Sequence, residues 1–145
     1  GGFDGVVLTD GPGNPAEISV DEIAKLMSRI PTLGIGLGHQ LMALAAGGSV
    51  EKMHCGHHGA NQPVKDLTTG RCYITAQNHL YCVKSCPKAE ILFENVNDQS
   101  CEGLTYPGLK AFSLQFMPEG CVGPNDTSFL YKRFISMMGG DEPCC

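Results

Sequence analysis

Gly34, Gly36 and Gly38, in the run Thr32-Leu33-Gly34-Ile35-Gly36-Leu37-Gly38-His39-Gln40, have the spacing of a turn that presents a nucleophile. In such an elbow a short buried strand ends at an apex residue and a helix starts at once. The apex side chain is thrust into a pocket beside the first N–H groups of the helix, which can take up negative charge on a substrate oxygen. The apex here is Gly36, which has no side chain. Two further segments suit the same chemistry. Gly11-Pro12-Gly13 would let backbone N–H groups approach a substrate closely, as an oxyanion hole requires. Gln115-Phe116-Met117-Pro118-Glu119 sets an acidic residue two positions beyond a side chain that could face the elbow. Taken singly, each has a plainer reading. Gly-Pro-Gly is also an ordinary turn, a lone Glu119 is also a solvated carboxylate, and the glycine run lacks the later acidic residue of a dinucleotide site.

The elements that would position these loops follow from pattern. Residues 3–9 (FDGVVLT) are apolar and β-branched, the signature of a strand buried on both faces of a parallel sheet. Residues 10–15 (DGPGNP) form a tight loop at its end. Ser19 is placed to cap a helix over 20–29 whose apolar face is Ile23, Leu26, Met27 and Ile30, and Pro31 ends it. Residues 33–35 then read as the elbow strand and 37–46 as the elbow helix, stopped by Gly47-Gly48. Strand, helix, strand, helix at this spacing is a βαβ unit with a right-handed crossover. The second half changes to short strands at 64–66, 71–76, 81–83, 91–96, 103–106 and 111–115. A helix over 126–138 closes the pattern, with Phe129, Leu130, Phe134, Ile135 and Met138 as its buried stripe. The expected fold is α/β: a mostly parallel, mixed open sheet with helices on both faces and an antiparallel extension. Loops at the C-terminal edge of such a sheet are where open α/β folds bind ligands. Residues 3–9 read as an interior strand. This suggests a single partial domain over 1–145, with N-terminal strands missing.

Composition narrows the function. The 145 residues carry 10 Lys plus Arg against 15 Asp plus Glu, a net charge of -5. That balance argues against a nucleic-acid partner and supplies no polybasic membrane patch. No apolar run reaches the roughly 20 residues that span a bilayer, and no secretion signal is visible at Gly1-Gly2-Phe3-Asp4. The eight cysteines are scattered through a chain with ample Val, Ile and Leu, which reads as reduced thiols in a cytoplasmic protein rather than a disulfide framework.

Read together and in order, the segments are far more specific. DGVVLTDGPGNP, IPTLGIGLGHQLMALAAGG, GHHGANQPVKDL, ITAQNH and FSLQFMPEG followed by GPNDTSFLYKRFI closely resemble the class I (triad) glutamine amidotransferases. Within them, GHHGANQPVKDL and ITAQNH favour the glutaminase domain of the carbamoyl-phosphate synthetase small subunit. The resemblance runs from Phe3 to Met138. It implies a domain that hydrolyses glutamine and delivers ammonia to a large synthetase subunit. No cofactor belongs to this domain, since ATP and magnesium would serve the large subunit.

Carried over position by position, the resemblance places the nucleophilic cysteine at Gly36 and the histidine base at Met117, while the orienting glutamate is present as Glu119. It assigns Gly11, Gly13 and the Leu37 N–H to glutamine and its oxyanion, Gln40 and Asn78 to the side chains that hold glutamine, and Tyr81 to an aromatic neighbour. Leu80 stands where the family usually has glycine, which would crowd the pocket. Thiolate and base must be in contact, and neither glycine nor methionine can replace them. The chain is therefore expected to be inactive as a glutaminase. The alternative is a non-catalytic glutamine-binding or docking domain. His54-Cys55-Gly56-His57-His58, with Cys82 and Cys86, offers a rival metal reading, but the spacing is irregular and no metal site is expected.

Overall fold

The computed structural model describes residues 2–119 and 127–139. Strand β1 (Val6–Leu8) leads through a single helical turn at Pro15–Glu17 to helix α1 (Asp21–Arg29), then to strand β2 (Thr32–Ile35) and helix α2 (Leu37–Ala45). Strands β3 (Ser49–Asp66), β4 (Cys72–Ser85), β5 (Glu90–Asn95), β6 (Cys101–Thr105) and β7 (Ala111–Leu114) follow, and helix α3 (Phe129–Met137) comes last among the described residues.

The sheet order is β1-β2-β7-β6-β4-β3-β5, with β5 also paired to β6, so the four strands β3 to β6 close on one another. Only β1–β2 and β2–β7 are parallel, while the remaining pairings are antiparallel. The expectation of a mostly parallel open sheet is corrected accordingly. A parallel pair needs a long crossover, usually helical, whereas strands joined by short turns fold back antiparallel. Only the segments carrying α1 and α2 begin such crossovers, and from Ser49 onward the strands are linked by turns of four or five residues. Residues 3–9 are also less buried than their composition suggested. The strand is confined to Val6–Leu8 at one end of the sheet order, and Phe3 and Val7 are exposed.

Helices do cover both faces. Leu33 and Ile35 of β2 and Phe112 and Leu114 of β7 pack with Leu130 and Phe134 of α3. Their alternate neighbours face α2: Ala111 shares a cluster with Met27, Met42, Ala43, Leu104 and Tyr106. Period-two alternation thus divides one short strand between two cores. Helix α2 is buried around most of its circumference, as an all-round apolar helix must be. Helix α1 starts at Asp21 with Val20 as N-cap and no side-chain cap, so Ser19 does not have its expected role. Its first turn is acidic at Asp21 and Glu22 and its last turn is basic at Arg29, which suits the helix dipole. Helix α3 buries Leu130 and Phe134, while Phe129 and Ile135 are exposed and Asp126 lies outside the described residues.

The hairpin of β3 and β4 departs most from sequence expectation. The middle of β3, residues 54–62, is rich in Gly, His, Asn and Gln and carries no strand pattern, yet the strand runs 18 residues and pairs with β4. Irregularities in register between Lys52 and His57, and between Gly59 and Gln62, absorb the mismatch. They leave His57 opposite His79 and His58 opposite Asn78.

Candidate active site

The backbone at Gly36 has φ 60° and ψ -114°, a conformation that side-chain-bearing residues adopt only under strain. Its N–H donates to the Leu114 carbonyl at 2.9 Å, which ties the apex to β7. The flanking glycine is needed on steric grounds: a Cβ on Gly38 would stand 2.1 Å from the Leu8 carbonyl oxygen. Thus α2 starts hard against the end of β1, and the strand–apex–helix turn anticipated from the glycine spacing is present.

The space in front of the apex is filled by Asp10. A Cβ on Gly36 would lie 2.3 Å from Asp10 Oδ1. The same Oδ1 accepts the Leu37 N–H at 2.9 Å. A carboxylate at the first N–H groups of a helix is well placed by charge and by hydrogen bonding. It also occupies the donor that the resemblance assigned to the oxyanion. The sequence had given Asp10 no role.

A cleft of about 260 Å³ opens beside this point. The structure brings together Gly11, Gly13, Leu37, Gln40, Asn78, Leu80 and Tyr81 around it, and adds Asp10, Pro12, His58 and His79. Gln40 is buried, and its Nε2 donates to the Tyr81 carbonyl and to Gln115 Oε1, both at 2.9 Å. Both amide hydrogens are then used within the protein, and Oε1 is the remaining polar atom. Asn78 Oδ1 accepts from His58 Nδ1 at 2.7 Å, leaving its NH₂ group as the free donor. Leu80 is 47% exposed and contributes an apolar side chain to the cleft.

Gly36, Met117 and Glu119 are not among the cleft-lining residues. Met117 is half-buried and its N–H donates to the Ala76 carbonyl at 3.1 Å, which docks this loop on β4. Glu119 is exposed and accepts the Tyr131 hydroxyl of α3.

Several buried groups among the described residues are unsuited to the missing roles. His39 is fully buried, with Nδ1 2.8 Å from Ser113 Oγ, and burial drives its pKa down to about 3. Cys82 and Cys101 are buried, and burial pushes their thiols up to about 11 and about 12, so neither is a ready thiolate. His57 stands between two carboxylates, Glu102 at 3.1 Å and Asp98 at 2.7 Å. The bond to Glu102, followed by that to Asp98, raises it to about 9 against the opposing effect of burial. His54, Cys55 and His58 are exposed whereas His57 is buried, so the side chains of the run 54–58 are divided between solvent and interior.

A family model described as glutamine amidotransferase class-I matches residues 1–137. The chain belongs to the class I glutamine amidotransferases. This amidotransferase is 44% identical over 143 residues to the carbamoyl phosphate synthase pyrimidine-specific small chain of Bacillus subtilis, covering 96% of this chain and 39% of that protein. The carbamoyl phosphate synthase small chain of Oceanobacillus iheyensis is 44% identical over 141 residues, covering 93% of this chain and 38% of its own. The chain therefore spans about two-fifths of the length of these relatives. A glutamine amidotransferase structure from Thermotoga maritima superposes with a TM-score of 0.69 at 26% identity, covering 92% of this chain and 61% of that one. A structure from Thermoplasma acidophilum has the same fold, with a TM-score of 0.80 at 23% identity over 95% of this chain and 74% of the other.

Proposed function

We propose that this amidotransferase is a glutaminase domain of the carbamoyl phosphate synthase small-chain type that does not hydrolyse glutamine. The observation that carries this reading is the elbow: its backbone is formed at Gly36, yet no nucleophilic atom projects from it. Hydrolysis would require a thiolate to add to the glutamine amide carbon and a base to pass a proton to the departing ammonia. Gly36 supplies no atom for the first step, and the Met117 thioether cannot accept and return a proton in the second. Losing the nucleophile or base of a comparable triad costs on the order of 10⁶ in turnover. Glu119 alone does not restore it.

The partner in this reading is a carbamoyl phosphate synthase large subunit, which would hold ATP and magnesium, while glutamine hydrolysis in this domain would draw on no cofactor. The described residues contain no helix long and apolar enough to cross a membrane. Glutamine is the small molecule that the cleft suits, through the free Asn78 amide, Gln40 Oε1 and the Gly11 to Gly13 backbone. A second reading, a docking domain that no longer takes glutamine, is favoured by one specific observation. Asp10 holds the Leu37 N–H that the glutamine carbonyl would need, and Leu80 narrows the same cleft.

Full-length protein incubated with glutamine should release ammonium no faster than a protein-free blank. Release at the rate of an intact small chain would overturn the proposal. Isothermal titration with glutamine then separates the two readings: saturable heat supports retained binding, and its absence leaves docking.

A further inference from the structure

Behind the cleft, β3, β4 and β6 bring His57, His79, Gln77 and Glu102 together, all at least nine-tenths buried. The nearest ligating atoms of His57, His79 and Glu102 lie within 4.8 Å of one another. Gln77 Oε1 is 2.9 Å from both His57 Nδ1 and His79 Nε2, and Glu102 Oε1 is 3.1 Å from His57 Nδ1.

Counting donors shows what this arrangement lacks. The Thr75 hydroxyl donates to the Gln62 carbonyl at 2.8 Å, so its oxygen can only accept from Gln77 Nε2, at 3.1 Å. That contact sets the Gln77 amide with its oxygen toward the imidazoles. The outer nitrogen of His79, Nδ1, is 2.8 Å from the Tyr81 carbonyl, and the outer nitrogen of His57, Nε2, is 2.7 Å from Asp98 Oδ2. Each ring therefore has an acceptor at both nitrogens, whereas a neutral imidazole has one N–H. A His57 charged between Glu102 and Asp98 meets its own acceptors, but His79 also faces one at each nitrogen, and protons alone would meet that only by charging a second ring whose centroid is 4.9 Å from the first in a buried site. Glu102 Oε2 is buried with no partner, and Asn95 Nδ2 donates to Oε1 at 3.1 Å.

We propose that His57 Nδ1, His79 Nε2, Glu102 and the Gln77 amide oxygen form a closed binding site for one divalent transition-metal ion of the zinc type. A single cation at their centre satisfies the inner nitrogens of both rings and both oxygens. The three contacts at 2.9, 2.9 and 3.1 Å are close to the roughly 3.3 Å edge of a tetrahedron with metal–ligand bonds of about 2.0–2.1 Å, and the donors of His57, His79 and Glu102, all within 4.8 Å of one another, would draw in around the ion. The outer contacts match what ligating histidines usually have, one ring donating to a carboxylate and the other to a backbone carbonyl. With four protein donors and no open position, the ion is structural. It would pin β3, β4 and β6 together and hold the neighbouring Asn78 in the cleft wall.

The test uses full-length protein, stripped with a chelator and with its thiols alkylated so that exposed Cys55 and Cys72 cannot bind metal. Zinc is then titrated by competition with a chromophoric chelator, and cobalt(II) reports coordination geometry through its ligand-field bands. One zinc per chain is expected, with a tetrahedral cobalt spectrum. Affinity should fall by more than about 100-fold in Glu102→Gln and His79→Asn, beyond the loss that outer-shell changes cause. Absence of stoichiometric zinc binding in the alkylated wild type overturns the site. So does unchanged binding in the two variants. Should either variant fail to fold, the wild-type cobalt spectrum decides: tetrahedral bands support the site, and the spectrum of the hydrated ion refutes it.

Discussion

Asp10 uses one oxygen for two purposes. It caps the first N–H of α2 and fills the volume that a side chain at position 36 would need. Restoring the chemistry therefore takes more than the two absent groups. In Gly36→Cys with Met117→His, the new thiol meets the Asp10 carboxylate, which disfavours a neighbouring thiolate by like charge and withholds the Leu37 N–H from the substrate oxyanion. This double variant is expected to release ammonium only slowly. Adding Asp10→Ala should raise the rate by roughly 10²-fold, the size of effect that one oxyanion donor has elsewhere. Equal rates in the double and triple variants, measured by coupled ammonium assay, would show that the Asp10 contact is irrelevant. Leu80 acts at the same scale, as an apolar side chain in a cleft whose other working groups are polar.

At the scale of elements, α2 is the piece that the rest surrounds. Gly38 lets it abut β1, Gly36 turns the chain into it, and His39 and Gln40 anchor its first turns on β7 and β4. His39 gives this helix a pH dependence whose sign follows from burial. Its native pKa, about 3, lies below the unfolded value of 6.5, so the unfolded chain binds the extra proton first. The contribution is complete above pH 6.5 and is lost as pH falls from there toward about 3. The slope approaches about 1.4 kcal/mol per pH unit at most. Urea unfolding at a series of pH values should show a shallower acid slope for His39→Gln than for wild type. Parallel curves would mean that the imidazole charges as readily in the native state as in the unfolded one. The β3–β4 hairpin is the other decisive element, because its register alone brings His58 to Asn78 and His57 to His79.

For the whole molecule, the sheet is two architectures joined at β7. One side is a parallel βαβ unit carrying the elbow, and the other is an antiparallel group of strands closed on itself. The cleft lies where the first side meets β4 of the second, so it draws on segments from Asp10 to Tyr81. In the proposed reading, such an assembly keeps its outer surface for a partner without hydrolysing glutamine. Full-length protein is expected to co-purify with a carbamoyl phosphate synthase large subunit expressed alongside it. Failure to associate, with both chains soluble and folded, would remove the docking role.

The sequence by itself determined the elbow, its missing apex side chain and the family. Glycine spacing, β-branched runs and helix stops are local, and steric rules act on them over a few residues. Most cleft residues were legible too, because the motifs that name them lie at element ends. Tertiary structure alone decided the sheet's mainly antiparallel character and the 18-residue course of β3. It also decided the placement of Asp10 over Gly36 and the convergence of His57, Gln77, His79 and Glu102. These depend on register between strands and on contacts between residues distant in the chain, such as Asp10 with Leu37, 27 positions apart, for which local propensity carries no signal. A polar strand such as β3 reads as loop until a partner strand takes up its backbone hydrogen bonds.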